Sequence, residues 1–395
     1  MAIPDWRQIQ KEATIVDLHI HPSMQQQIFK QNLNMRYVMN RTIHGNPMSV
    51  RASFPRLRDG GYDVILSTLH VPERGLQKDF PIIKIFRFLR PDIWKKLIAA
   101  PPFKATLSIM ADFEKAVANT SGYEWTEIAC SFNALEEFLK KPKGHRPIVA
   151  IHAVEGGHSL GLESTSTEGA LKNLETLFNR GVACLTLAHF YRNLVVHPTY
   201  PFPDDVAKLS VHPGIWRDLT EGLTETGKQV VEKMIELGMM IDISHSTPIA
   251  RKEIYDIIDA THRPVPLFAT HVGAFEINPT PYNLADWEIK RIARDGGVMG
   301  VIFMPYWLMS KESPQGLNFV TRHMQYLVKV GGADCVGIGT DFDGFATPPD
   351  DLDNASRMPR LTQRLVADGH SREVICKILG ENAIRALREG WRKTA

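Results

Sequence analysis

Thr14-Ile15-Val16-Asp17-Leu18-His19-Ile20-His21 runs an apolar strand directly into two histidines one residue apart. Side chains two apart in extended backbone share a face, so His19 and His21 can converge on one cation at the strand's C-terminal end. Four further apolar runs end in the same way. Glu155 follows Ile148-Val149-Ala150-Ile151, His245 follows Met240-Ile241-Asp242-Ile243, His271 follows Leu267-Phe268-Ala269, and Asp341 follows Val336-Gly337-Ile338-Gly339. An isolated histidine is usually a satisfied polar residue. Metal-competent side chains at the ends of successive strands form a ligand set instead.

The same runs set the fold. Strand-like segments near 14–19, 62–69, 147–154, 183–188, 239–244, 265–270, 298–303 and 335–340 alternate with helix-period segments at 167–180, 224–237, 248–260, 284–295 and 316–330. Glycine follows most of these helical stretches, as at Gly181, Gly238, Gly296 and Gly331, the expected helix stop. Eight β/α units predict an α/β chain closed as a (β/α)8 TIM barrel, with its active site at the C-terminal ends of the strands. Residues 1–395 read as one barrel domain with a helical insertion at about 71–146 and closing helices near 356–368 and 371–389.

A second long connection, 189–222, includes Val196-His197-Pro198-Thr199-Tyr200-Pro201 and reads as an ordered substrate loop. Within the first insertion, Phe80 to Arg90 is basic and strongly apolar. It reads as a lid on the barrel or a dimer contact, and alternatively as an amphipathic membrane-surface or subunit-docking helix, with 80–104 as the docking surface if the chain is a binding subunit.

Composition narrows the classes. Lys and Arg number 46 against 44 Asp and Glu, a formal charge of +2, so no global field points to nucleic acid. Cys130, Cys184, Cys335 and Cys376 lack CxxC spacing, which argues against a disulfide framework or a thiolate zinc site. Neither an apolar signal core nor a run of about 20 apolar residues is seen, and the expectation is a cytoplasmic protein without an integral membrane segment.

Two histidines, a carboxylate and two more histidines can hold two divalent ions, with Glu155 as the natural bridge. Such a nitrogen-rich set suits zinc best, with Mn, Fe or Co also accepted. Ions about 3.5–4 Å apart can share a hydroxide that attacks a substrate carbonyl. Asp341, in Gly339-Thr340-Asp341-Phe342-Asp343-Gly344, is placed to carry a proton from that water to the leaving group, and Asp343 reads as a turn residue.

At these residues the chain resembles the membrane or renal dipeptidase family of zinc hydrolases, within the amidohydrolase superfamily. The likeness rests on Val154-Glu155-Gly156-Gly157-His158, Leu185-Thr186-Leu187-Ala188-His189, Ile241-Asp242-Ile243-Ser244-His245-Ser246, Ala269-Thr270-His271, the Gly339 to Gly344 motif and Glu381-Asn382-Ala383-Ile384-Arg385. It implies that Glu155 bridges two zinc ions, that His19 and His21 bind one and His245 and His271 the other, and that Asp341 is the general acid/base. It further implies that His189 holds the scissile carbonyl oxygen, that His158 is structural, and that a homodimer is possible.

Two positions depart from the family pattern. His21 stands where the family has an aspartate, which leaves the centre about one charge more positive. Tyr282 stands where the family has an arginine that pairs with the substrate's α-carboxylate, a bidentate pairing that tyrosine cannot make. Arg192, just beyond His189, is a candidate replacement anchor. The expected function is hydrolysis of an amide bond in a small molecule, a dipeptide or N-acyl amino acid. The alternatives are an ester, lactone or carbamate substrate, or a metal-containing binding subunit without catalysis.

Overall fold

A computed structural model describes residues 4–35, 49–199, 219–309, 316–344 and 347–391. Nine parallel strands run through it: β1 (Val16–Ile20), β2 (Val64–His70), β3 (Thr126–Ile128), β4 (Ile148–Glu155), β5 (Val182–Thr186), β6 (Met240–Asp242), β7 (Leu267–Val272), β8 (Val298–Ile302) and β9 (Val336–Gly339). Their order is β2-β1-β9-β8-β7-β6-β5-β4-β3, and β2 also pairs with β4 from Val64↔Val149 to His70↔Glu155. That last pairing closes eight strands into a barrel, the expected (β/α)8 architecture. The ninth, β3, lies in the 71–146 insertion and extends the sheet beside β4 from Thr126↔Ile148 to Ile128↔Ala150. Three residues carry too little apolar pattern to be legible as a strand.

Every residue of β4 is buried, as in parallel sheets covered on both faces. The crossover helices form where their period places them. Thr167–Asn179, Glu225–Leu237 and Pro248–Asp259 start behind Ser166, Thr224 and Thr247, whose hydroxyls accept from backbone N–H groups of the first turn. Gly238 ends the second of these in the left-handed region at φ 72°. Inside the barrel, Gly300 and Gly339 allow a close approach that no side chain permits. A Cβ on them would lie 2.1 Å and 1.7 Å from the Thr270 carbonyl oxygen.

Two expectations are corrected. The segment after Phe80 is no continuous amphipathic helix: it breaks into Pro81–Ile85, Phe86–Leu89, Pro91–Ile93 and Trp94–Ile98. Pro81 and Pro91 each withdraw a backbone donor and restart the chain. Phe86 packs on the core while Phe88 and Leu89 are exposed. The closing helix predicted at 371–389 is divided into Arg372–Cys376, Lys377–Glu381 and Asn382–Gly390. The kink at Gly380 brings the chain against the Thr14 carbonyl, 2.4 Å from where a Cβ would stand. Residues 200–218 of the proposed substrate loop lie outside the described residues. The four cysteines are unpaired, and among the described residues no helix is long and apolar enough to cross a membrane.

Candidate metal centre

The strand ends gather at one mouth. His19 lies in β1 and His21 just beyond it, Glu155 ends β4, His271 lies in β7, and His189, His245 and Asp341 sit two or three residues past β5, β6 and β9. Glu155 is the hub. Its Oε1 lies 3.3 Å from His19 Nε2, 3.4 Å from His245 Nε2 and 3.5 Å from His271 Nε2. Its Oε2 lies 3.6 Å from His21 Nε2, 3.4 Å from His70 Nδ1 and 3.7 Å from His189 Nε2. Six imidazoles therefore face one carboxylate, three to each oxygen. Asp341 Oδ1 adds a second acid, 3.3 Å from His21 Nε2.

The donor set fits divalent ions. His19 and His21 bring their Nε2 atoms to 2.9 Å, and His245 and His271 bring theirs to 2.8 Å. Two atoms each about 2.0–2.1 Å from one ion, at angles between square and tetrahedral, are roughly 2.9–3.4 Å apart. Ligand atoms of His19, His21 and Glu155 lie within 4.8 Å of one another, as do those of Glu155, His189 and His245.

Buried groups behind the histidines decide which nitrogen points inward. Thr270 Oγ1 donates to Asp242 Oδ2 at 2.5 Å and lies 3.0 Å from His19 Nδ1 and 2.8 Å from His271 Nδ1. With its proton committed to Asp242, the hydroxyl can only accept from both rings, so each directs an Nδ1–H at Thr270 and turns Nε2 toward the hub. A bulge makes this possible. Between Ala269↔Met299 and Val272↔Val301, β7 holds one residue more than β8, which brings consecutive Thr270 and His271 to the same hub. On the other side Asp17 fixes the backbone that carries His19 and Asp341, accepting from His19 N at 3.2 Å, Thr340 N at 3.0 Å and Thr340 Oγ1 at 2.6 Å. His245 and Asp341 are held at φ 64° and 56°, left-handed conformations rare outside glycine and characteristic of functional sites.

Electrostatics follow from burial and the hub. Although burial opposes its charge, Glu155 is held well below the usual carboxylate range by His189 and His19. Burial likewise opposes protonation of His19, but Glu155, Asp341 and Asp242 outweigh it and lift the pKa to about 9. His271 is pushed well below the ordinary histidine range by burial and by its His19 and His245 neighbours. His70 moves the same way through burial and His189.

The remaining predicted residues fall differently. Asp343 stands in a turn at φ 66°, as expected, while its carboxylate pins a distant segment, accepting from Arg51 N at 2.8 Å and Ala52 N at 2.9 Å. His158 Nε2 lies 2.7 Å from the Val71 carbonyl oxygen, away from the ligand set. Tyr282 is only 2% exposed, donates to the His271 carbonyl at 2.5 Å and stacks on Trp307 at 4.1 Å. Arg192 is exposed and lines a cavity of about 770 Å³ together with Glu73, Arg74, Lys78, His158 and Phe190. Sequence reading missed His70 and Glu73. His70 ends β2 in Leu66-Ser67-Thr68-Leu69-His70, the strand-end signal that marked the others, whereas Glu73 falls beyond the strand and carries no such signal.

The family model described as membrane dipeptidase (peptidase family M19) matches residues 4–393. Over 179 residues the chain is 36% identical to an uncharacterized protein in the pqqA 5′ region of Klebsiella pneumoniae, covering 45% of this chain and 64% of that one. Over 242 residues it is 29% identical to dipeptidase tcpJ of Claviceps purpurea, covering 61% and 50%. The matched part thus spans less than two thirds of either relative. Among solved structures, a metallopeptidase of Rhodobacter sphaeroides liganded with a phosphinate mimic of L-Ala-D-Ala superposes with TM-score 0.72 at 20% identity over 96% of this chain and all of that one. An amidohydrolase of Pseudomonas aeruginosa gives 0.69 at 19% identity over 99% and 100%. At such identities the structures establish the fold.

Proposed function

Because this chain belongs to the membrane dipeptidase family, peptidase family M19, we propose that it is a metal-dependent hydrolase that cleaves the amide bond of a small substrate, a dipeptide or N-acyl amino acid. The observation that carries this reading is the single buried carboxylate, Glu155, faced by six imidazoles, three to each oxygen. Such a site would hold two divalent ions, zinc first by donor type, with Glu155, His19 and His21, and His245 and His271 as the residues that would bind them. When bound, the ions supply Lewis acidity and an activated water.

The chain's own groups do the rest. Asp341 reaches the centre on the His21 side and takes the proton released as water adds to the carbonyl, then returns it to the leaving nitrogen. Although burial opposes it, Glu155 and Glu73 hold His189 toward its protonated form, and the ring presents Nε2–H to the same space and stabilises the carbonyl oxygen as negative charge develops on it. Arg192, on the rim of the cavity, pairs with the substrate carboxylate.

The test is metal analysis of purified protein, followed by a panel of L- and D-configured dipeptides, their amides and esters, N-acyl amino acids and lactones. About two ions per chain, dipeptide turnover, and loss of turnover with retained metal in Asp341→Asn are expected. Full metal loading with no turnover across the panel would replace the enzyme by a binding subunit. Unchanged metal content in His19→Ala and His271→Ala would remove the site assignment. Arg192→Ala should erase any preference for a free carboxylate; if wild type has none, the anchor is wrong.

One observation favours a second reading. Tyr282 closes the β7 side with its hydroxyl already engaged, and the cation behind it, Arg251, is committed to Glu288 at 2.7 Å and to the Pro281 carbonyl at 2.9 Å, so neither offers a terminal carboxylate a partner. Preferential turnover of esters, lactones or carbamates on the same panel would select that alternative.

A further inference from the structure

We propose that Glu73 is a positioning residue for His189, so that the first residues of the insertion set the direction of a reacting imidazole. The proposal rests on the role given to His189 above. His189 lies in a loop three residues beyond the end of β5, where no ladder hydrogen bond orients its ring. Glu73, only 3% exposed, supplies that orientation. Its Oε2 accepts from His189 Nδ1 at 2.8 Å, and its Oε1 accepts from Phe190 N at 3.1 Å and Tyr191 N at 2.9 Å. One carboxylate thus ties down the ring and the backbone that carries it.

With Nδ1 turned to Glu73, Nε2 points inward, 3.7 Å from Glu155 Oε2. The ring is held flat by Phe190, stacked at 3.7 Å and 22°, and flanked by His70 at 4.2 Å. The two loops are fitted closely: a Cβ on Gly75 would stand 2.1 Å from the Tyr191 ring. Burying a carboxylate is costly unless it is fully hydrogen-bonded, and here the bonding runs entirely to the His189–Tyr191 segment. Carboxylate–imidazole pairs of this kind orient ligands and bases in many enzymes, and losing the outer partner commonly lowers activity 10- to 100-fold.

A simple staple between two loops would leave the same hydrogen bonds, and substitution separates the two roles. Glu73→Gln keeps one oxygen for the Phe190 and Tyr191 N–H groups but sets an NH2 against His189 Nδ1, whose proton it cannot accept. In the metal-loaded full chain the expected result is a kcat lowered about 10- to 100-fold, with KM within about threefold and metal content unchanged. Affinity for a phosphinate dipeptide analogue, a mimic of the tetrahedral intermediate, should fall by the same factor as kcat/KM, while affinity for the product amino acid stays put. Glu73→Ala removes all three bonds and should also lower the melting temperature.

In protein selectively ¹⁵N-labelled at histidine, the His189 Nδ1–H resonance, assigned by its loss in His189→Asn, should be present in wild type and absent in Glu73→Gln. Persistence of that resonance in Glu73→Gln, or a kcat within threefold of wild type, would overturn the proposal. Should wild type hydrolyse nothing on the panel, the functional reading fails, and the resonance still decides the role of Glu73.

Discussion

Thr270→Val is the sharpest probe of how the centre is built. Valine keeps the shape of threonine but removes the hydroxyl that stands 3.0 Å from His19 Nδ1, 2.8 Å from His271 Nδ1 and 2.5 Å from Asp242 Oδ2. Asp242 stays satisfied, because it also accepts from Thr186 Oγ1 at 2.6 Å, Ser244 Oγ at 2.8 Å and Thr270 N at 2.9 Å. The two imidazole N–H groups do not. Each orphaned buried donor costs about 1–3 kcal/mol, so the metal-free protein should lose about 2–6 kcal/mol.

For 395 residues, an unfolding entropy of about 2.1 cal/mol/K per residue gives roughly 0.8 kcal/mol per kelvin, and a melting temperature lower by about 2–7 °C. His271, the neutral ring of the two, can recover part of that loss by moving its proton to Nε2, where Glu155 Oε1 waits at 3.5 Å. That proton then occupies the position that a ligand lone pair needs, and metal affinity should fall about 10- to 100-fold. Titration of metal-free protein with Zn²⁺ against a chromophoric chelator measures the affinity, and calorimetry of the same sample measures the stability. Thr270→Ser restores the hydroxyl and should restore both. If Thr270→Val binds metal within twofold of wild type and melts within 1 °C, the hydroxyl does not set the tautomers and the reasoning fails.

Gly339→Ala places a Cβ 1.7 Å from the Thr270 carbonyl and should cost about 3 kcal/mol or more, seen as a lower denaturant midpoint or as insoluble expression. His323 is buried, its Nδ1 accepts from Ala274 N at 2.9 Å and its Nε2 donates to the Leu308 carbonyl at 2.9 Å; burial and Arg322, against the Leu308 bond, pull its pKa down to about 4 from 6.5. Between those values the unfolded chain binds more protons than the folded one, so stability should fall by about 3 kcal/mol as pH drops from 6.5 to 4, a slope that His323→Gln should lack in pH-resolved chemical unfolding. His21→Asp restores an anionic ligand and should shift competition binding from Zn²⁺ toward the harder Mn²⁺; an unchanged ratio would mean that His21 does not touch the ion. Chelation of bound metal should lower the melting temperature by roughly 5 °C for each ion held at 1,000 times its Kd, since binding at that excess is worth about 4 kcal/mol.

The barrel was legible because its strands are apolar runs closed by glycine-stopped helices, and the side chains that converge on Glu155 were legible because a strand end is a fixed place on a barrel. What the sequence concealed depends on contacts between distant segments. Nothing local in Ala269-Thr270-His271 announces a bulge that turns two neighbours toward one hub; it exists because β7 carries one residue more than β8 in that interval. Glu73 is silent for the same reason, since its partners lie 116 to 118 residues away. His70 obeyed the strand-end rule, yet β2 was read only as a strand. The segment after Phe80 misled in the opposite sense, because its composition suits an amphipathic helix while Pro81 and Pro91 cut it into pieces.

The two departures from the family pattern act on substrate choice in opposite places. With His21 as a ligand, as proposed, a histidine in place of a carboxylate would remove a negative charge at ligand distance from bound ions, an effect of about 4 kcal/mol for charges 4 Å apart at an effective dielectric of 20. That strengthens the pull on any oxygen that becomes negative as a carbonyl is attacked, whether its leaving group is an amine or an alcohol. Tyr282, meanwhile, takes away the fixed cation that would have singled out a terminal carboxylate, and it cannot swing back into that role while its hydroxyl holds the His271 carbonyl and its ring lies on Trp307. The centre gains driving force for carbonyl chemistry in general and loses the contact most particular to dipeptides. On the proposed reading, selectivity would rest on the cavity that Arg192, Arg74 and Lys78 line together with Glu73 and Phe190. For that reason a substrate panel confined to dipeptides would test the metal centre without testing what the cavity was shaped to hold.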